Sequence, residues 1–395
     1  MNYTDMTALA DAMRDELIDR RRDLHRHPET AFEEVRTAGI VAQTLSALGL
    51  EVRTGVGKTG VIGLLEGAHD GPTVLVRADM DALPIQEENA FAYASQVGGK
   101  MHACGHDAHT SIVLGVAKIL AAQRDHLAGR VKFVFQPAEE IGRGALAMVD
   151  DGALTDPRPD VTLGLHVWNS LPFRTLGVAT GPVMAGASTF TVQVTGKGGH
   201  AASPHAAVDP VVCASHIVTM LQSIVSRNVN PFDTAVISVT SVRAGEAYNV
   251  IPQTAEMRGT IRTFSLEVRD QVENRMRDII DGCASAMDCA VSVEFTHLTK
   301  PVINDETVTL RAREVFLKVD PTLALDTSAR TMGSEDVSEF MMDVPGLFFF
   351  VGAADATQNT YYGHHHPRFS IDEAALPLGV ALLSAAVADY LVNGA

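Results

Sequence analysis

Between Ser188 and Thr296 the apolar pattern runs strand, helix, strand, strand, helix, strand, and it interrupts a longer alternation that resumes after Lys300-Pro301. The six pieces are strand-like at Ser188–Thr195, helical at Pro210–Arg227, strand-like at Thr234–Val242 and Thr254–Thr263, helical at Leu266–Met287 and strand-like at Ala290–Thr296. A β-α-β-β-α-β order is the split βαβ signature of a small ferredoxin-like domain. Ahead of it, helical spacing at Thr7–Leu24, Glu34–Leu48 and Ala108–Ala122 alternates with apolar runs at Gly60–Glu66, Thr73–Arg77, Val131–Phe135 and Val161–His166. Runs of that length bounded by Gly, Pro or Asp are strand signals, and their alternation with helices predicts a mostly parallel sheet covered by helices. The expected fold is therefore α/β, with a discontinuous sheet domain over residues 1–185 and 297–395 and an α+β ferredoxin-like insertion over 186–296. A chain of 395 residues exceeds what one core usually organises, which agrees with two domains.

Charge removes several classes of partner. The formal net charge of −17 argues against nucleic acid and against an anionic membrane, since both need a basic face. The N-terminal stretch is charged and amphipathic, with no apolar signal core. The apolar tract Ala375–Val392 carries Pro377, Gly379 and Asp389 and reads as a buried closing helix rather than a membrane span. Four cysteines (Cys104, Cys213, Cys283 and Cys289) without a secretion signal predict reduced thiols and a cytoplasmic location. No G-x-S-x-G elbow and no G-x-x-x-x-G-K-[ST] frame is present, which disfavours a serine hydrolase and a phosphate cradle.

Four clusters of metal-ligating residue types each follow a strand-like run or open a helix. That rim, beyond the carboxyl ends of the strands, is where open α/β sheets bind ligands. Arg77-Ala78-Asp79-Met80-Asp81 offers alternate carboxylates, although a solvated turn would look the same. Met101-His102-Ala103-Cys104-Gly105-His106-Asp107-Ala108-His109 is far denser: three His, a Cys and an Asp enter a helix, whose N-terminus favours the thiolate that binds metal. In Phe135-Gln136-Pro137-Ala138-Glu139-Glu140, adjacent carboxylates would repel if buried without a cation. With one present, one can ligate and the other can move a proton. The fourth cluster is split between His166 and the run His364-His365-His366. His25-Arg26-His27 has ligand spacing too, but at the end of a charged helix it reads as a terminus and packing element.

Taken in order, RRDLHRHPE, RADMDALP, MHACGHDAHT, FQPAEE, GLHVW, GKGGHAASP, NVIP, GTIRTF, MGSED and the late HHP segment resemble the M20 family of metallopeptidases and amidohydrolases. The similar subgroup contains hippurate hydrolases and plant auxin–amino acid conjugate hydrolases. The resemblance implies two divalent ions per subunit (Zn, Mn, Co or Ni) held by Cys104, His106, Glu140, His166 and a C-terminal His. The His-x-Pro form of the late motif selects His365. It also implies Glu139 as general base and Asp81 as an orienting carboxylate, while Asp79 stands where the wider family has a ligand His, so its role stays open. The insertion resembles a lid and dimerisation domain, in which His200 would polarise the scissile carbonyl, Asn249 would assist and Arg262 would hold a substrate carboxylate. The activity so implied is hydrolysis of the amide bond of a small N-acyl amino acid, by a homo-oligomer (dimer or tetramer) joined through the lid. A dipeptidase or carboxypeptidase of the same family is the alternative, and a non-catalytic metal-binding protein a more distant one. FSIDE after Pro367 departs from the subgroup's FDFDE.

Overall fold

Strands with apolar residues on both faces can be satisfied only at the centre of a covered sheet, and that is where the structure puts them. The computed structural model describes residues 3–354 and 362–392. It divides into two compact units, one comprising Met1–Val183, Ile303–Arg330 and Asp336–Ala395, the other Met184–Val302 and Thr331–Glu335.

The first unit holds an eight-stranded sheet, in the order Glu51–Val56, Gly60–Glu66, Ala128–Gln136, His69–Asp79, Val161–Pro172, Gly346–Ala354, Thr175–Gly177 and Ala324–Asp326. The four strands from Ala128–Gln136 to Gly346–Ala354 are parallel to one another, and an antiparallel neighbour flanks them on each side. Val74, Leu75, Val76, Phe133 and Phe135 are wholly buried there. The expected α/β class is borne out. The helix His106–Ala122 is pressed against the closing helix Ala375–Val392 at two glycines: a Cβ on Gly115 would lie 2.8 Å from Val380, and one on Gly379 2.9 Å from Ile112. That closing helix is long and apolar enough to cross a membrane, but 83% of it is buried within the fold.

Three sequence expectations need correction. The helix expected over Thr7–Leu24 is two, Tyr3–Ala12 and Arg14–Arg26, broken at Met13 (φ −99°, ψ 2°). The buried stripe Met6, Ala10, Met13, Leu17 and Leu24 runs through the break, so periodicity alone could not show it. The strand ending at His166 runs on to Pro172. The second unit is wider than 186–296, because the short segment Thr331–Glu335 returns to it through a Met184–Thr331 bridge and an Ala185 N–H donated to Gly333 O at 2.9 Å. So brief a return leaves no periodic trace.

Within the second unit a four-stranded sheet runs Ala235–Ala244, Thr254–Thr263, Gly186–Thr195, Ala290–Thr299, all antiparallel. Helices Pro210–Arg227 and Leu266–Ala286 pack on it. Both start where side chains cap them: Asp209 accepts from Val211 N and Val212 N, and Ser265 from Val268 N. Phe190, Val192, Ile217, Leu221, Met257, Val272 and Met276 form its separate core.

Candidate metal centre

Register decides which side chains meet. Asp79 pairs with Gln136, and Arg77 with Gly164, so His166 stands level with Asp79 and the Pro137–Glu140 turn leaves the sheet beside both. The helix bearing His106 opens at the same rim after Gly105, whose φ of 94° is left-handed. A Cβ at Gly105 would sit 2.5 Å from Val167 Cγ2. Gly105→Ala is therefore expected to destabilise the protein by about 2–4 kcal/mol, combining a left-handed penalty with overpacking. Urea denaturation measures it, and a loss below about 1 kcal/mol would contradict the geometry.

Donor atoms from five separated segments converge. Cys104 Sγ is 3.5 Å from His166 Nε2. His106 Nε2 faces Asp79, Glu139 and Glu140 oxygens at 3.6, 3.9 and 3.8 Å. His365 Nε2 lies 3.3 Å from Glu140 Oε2. Cys104, His106 and His166 form one compact donor set and Cys104, Glu140 and His365 another, with the thiol common to both. His106 and His166 are buried, whereas the His365 side chain is half exposed.

A second ring of contacts orients these atoms. His166 Nδ1 donates to Val167 O at 2.7 Å, which leaves Nε2 as the bare nitrogen. Asp81 accepts from His106 Nδ1 at 3.2 Å with one oxygen and from Glu140 N at 3.0 Å with the other. Asp79 is occupied by Arg77 at 2.7 Å and His109 Nδ1 at 2.6 Å, and His109 Nε2 in turn accepts the Val167 N–H at 2.9 Å. His365, at φ 66°, is tied down by its N–H to Ala103 O at 2.8 Å. His364 is a different kind of residue: its ring packs 4.6 Å from Trp168 and its Nε2 meets Val167 O at 3.0 Å.

Titration behaviour follows from burial and from the crowd of carboxylates. Burial disfavours charge on His106, yet Asp79, Asp81 and Glu140 outweigh it and raise its pKa to about 10. Burial pushes Glu140 up to about 7 against the pull of His106, with Asp81 and Asp79 adding to the rise. Burial and the neighbouring His109 and His364 hold His166 neutral, well below its usual value. Burial likewise pulls His364 down to about 4.

His200, Asn249 and Arg262 all lie in the second unit. The short strand Gly199–His200 pairs with Val250–Ile251, and Ala201 N donates to Asn249 O at 3.0 Å, so His200 and Asn249 are neighbours. His200 Nδ1 accepts from Ala202 N at 3.0 Å, which puts the ring proton on the exposed Nε2. Arg262 donates to Ser334 Oγ at 2.9 Å. The sequence places His109 in the ligand-rich cluster, on one helix face with His106 at i, i+3, but gives it no role. His102, in the same cluster and likewise without an assigned role, is buried with neither ring nitrogen hydrogen-bonded among the described residues.

The sequence matches Peptidase family M20/M25/M40 over residues 75–389. It is 40% identical over 361 residues to an N-acetyl-L-cysteine deacetylase of Bacillus subtilis strain 168, covering 91% of this chain and 85% of the relative. It is 39% identical over 381 residues to an Arabidopsis thaliana protein named IAA-amino acid hydrolase ILR1-like 2, covering 95% and 85%. Among solved structures, the Bacillus subtilis YXEP protein, described as a dinuclear metal binding peptidase from the M20 family, superposes with a TM-score of 0.83 at 36% identity, covering 96% of this chain and 99% of the other. The chain belongs to peptidase family M20/M25/M40 and is a hydrolytic enzyme.

Proposed function

We propose that this enzyme hydrolyses the amide bond of small N-acyl amino acids, using two divalent ions held by Cys104, His106, Glu140, His166 and His365. The observation that carries the reading is the fit of the donors to a cation. His106 Nε2 and Glu140 Oε1 are buried 3.8 Å apart and lack a hydrogen-bond partner among the described residues. That separation is too long for a hydrogen bond and close to the ~3.4 Å edge of a tetrahedron of ligands at about 2.1 Å. Unpaired buried polar atoms are costly unless something occupies the space between them. Divalent ions there would supply Lewis acidity, lowering the pKa of a water and drawing charge onto a carbonyl oxygen.

The chain's own groups do the rest. Glu139 takes the proton of the attacking water and returns it to the departing amine nitrogen. Asp81 fixes both His106 and Glu140 and so holds the donors in register. His200 donates from Nε2 to the developing oxyanion, with Asn249 beside it, and Arg262 pairs with the substrate carboxylate. Arg262→Ala is expected to raise KM about tenfold with kcat near wild type, and an unchanged KM would remove it from the substrate site. A relative that acts on N-acetyl-L-cysteine and one that acts on an amino acid conjugate support this substrate class. The panel that tests it is N-acetyl-L-cysteine, N-benzoylglycine and indole-3-acetyl-L-alanine, each with Mn, Zn, Co or Ni, followed by amine release. No hydrolysis of any member under any metal would overturn the substrate class.

Soft thiolate with imidazole and carboxylate admits all four of those metals. Stripping them with a chelator is expected to abolish activity and to lower stability by about 2.7 kcal/mol relative to protein held at ~100 times the dissociation constant. A melting temperature unmoved by chelation and by metal return would contradict a resident site. Two features extend the proposal. The outer strand Ala235–Ala244 carries exposed Val236 and Val242 and has one unpaired edge among the described residues, which suits association with a second copy into a dimer or tetramer. Light scattering that reads a monomer would remove that feature. Among the described residues no two cysteines form a disulfide, which fits a reducing cytoplasm. Fractionation that finds the protein outside the cytoplasm would overturn this.

A further inference from the structure

The turn that delivers Glu139 is itself held from far away in the chain. Glu34 opens the helix Val35–Ala47 and is completely buried. Its Oε1 accepts the backbone N–H of Ala138 and that of Phe32, each at 2.9 Å, and its Oε2 accepts the Thr59 hydroxyl at 2.5 Å. Ala138 and Phe32 are both non-glycine residues in left-handed backbone, at φ 53° and 62°. Such conformations persist only where surrounding contacts over-determine them, and they gather at functional sites. Here one carboxylate fixes both.

The conformation at Ala138 has a direct consequence for the site. The strand Ala128–Gln136 must stop and reverse so that Glu139 and Glu140, which are adjacent, both face His106. Glu140 is fixed by its own N–H to Asp81. The Ala138 N–H, one residue before Glu139, is fixed by Glu34. A buried carboxylate with three donors around it, and no cation paired to it among the described residues, is an expensive way to satisfy one turn. That expense is accounted for if the orientation of the following residue matters.

We propose that Glu34 is a positioning residue for Glu139, setting the Ala138 turn that aims the general base. The inference rests on the assignment of Glu139 as that base. The test uses the full-length, metal-loaded enzyme with N-acetyl-L-cysteine, N-benzoylglycine and indole-3-acetyl-L-alanine, the best turned over being used throughout. Glu34→Ala is expected to lower kcat about tenfold or more with KM and metal content within about twofold of wild type. Glu34→Gln, which retains an acceptor oxygen for the two N–H groups, is expected to recover most of that loss. Amide exchange at Ala138 and Glu139 should speed up in Glu34→Ala, with or without metal.

Placed on a Glu139→Gln background, Glu34→Ala should cost less than about twofold further, because it acts through a group already disabled. Full additivity, or an unchanged kcat in Glu34→Ala, would overturn the proposal. If Glu139→Gln alone keeps wild-type turnover, the base assignment fails instead, and the exchange result still reports on the turn. Should Glu34→Ala not fold, Glu34→Asp, shorter by one methylene with the charge kept, takes its place under the same criteria.

Discussion

Replacing Glu139 by Gln removes turnover by about 10²–10⁴-fold while leaving metal content unchanged. The substitution keeps volume and shape and deletes only the ability to take a proton, so the donors around it have no reason to move. Glu139 is nearly buried, 8% exposed, with Oε2 3.9 Å from His106 Nε2, and its neighbour Glu140 is held independently by Asp81. Different groups restrain the two adjacent carboxylates, as the proposed division into base and ligand requires. Elemental analysis and steady-state kinetics on the same preparation separate the outcomes. A variant that turns over normally is not using Glu139 as its base. One that loses metal as well has Glu139 among the ligands, which would exchange its role with that of Glu140.

Much of this arrangement was legible before any coordinates, and the reason is physical. A parallel sheet places the ends of its strands along one rim, so residues after separate apolar runs must meet there. Asp79, the Glu139-Glu140 pair and His166 follow three such runs. The cluster around Cys104 opens a helix at the same rim. What could not be read was which contacts hold each group. Asp79 looked like a ligand candidate, yet its oxygens are occupied by Arg77 and His109. His25 reads as a helix terminus and packing element and is both, but its partner Asp107, 82 positions away, could not be named from the sequence. Glu34 sits in an unremarkable Phe-Glu-Glu stretch, and its partner Ala138 is 104 residues distant. Hydrogen bonds between segments that share no sheet register leave no periodic signal.

The same limit hides a contact on which a large stability effect depends. Arg21 and Asp107 are both essentially unexposed, with Arg21 Nε 2.8 Å from Asp107 Oδ2 as an ion pair lying off the hydrogen-bond axis. His25 Nδ1 reaches the same oxygen at 2.8 Å, and His25 Nε2 lies 3.2 Å from Glu87. Arg21 also meets Glu373 at 3.2 Å. These contacts fasten the helix Arg14–Arg26 to the start of the helix that carries His106.

Asp107→Asn keeps the shape and removes the charge, which strands a buried guanidinium. The expected cost is about 3 kcal/mol, at the low end of the ~3–5 kcal/mol typical of a broken buried pair because Glu373 remains beside Arg21. The double variant Arg21→Met with Asp107→Leu is expected to cost less than Asp107→Asn alone, since the two opposite charges leave together and His25 keeps Glu87 as its partner. The pH dependence of the Asp107→Asn penalty follows from His25 and Asp107. Burial opposes charge on His25, as does Arg21, but Asp107 and Glu87 raise its pKa overall. Its contribution is therefore full below the unfolded value of about 6.5 and fades as pH rises through the folded value. Burial opposes charge on Asp107 as well, yet Arg21 and His25 hold it far below the carboxylate range, so its contribution is full above about 3.9 and is lost only in stronger acid. The penalty for Asp107→Asn should thus be greatest between about pH 4 and 6.5 and shrink in alkali. Urea denaturation across that range decides it: a penalty below about 1 kcal/mol at pH 6, or one that grows with pH, means the buried charges are not coupled as their positions require.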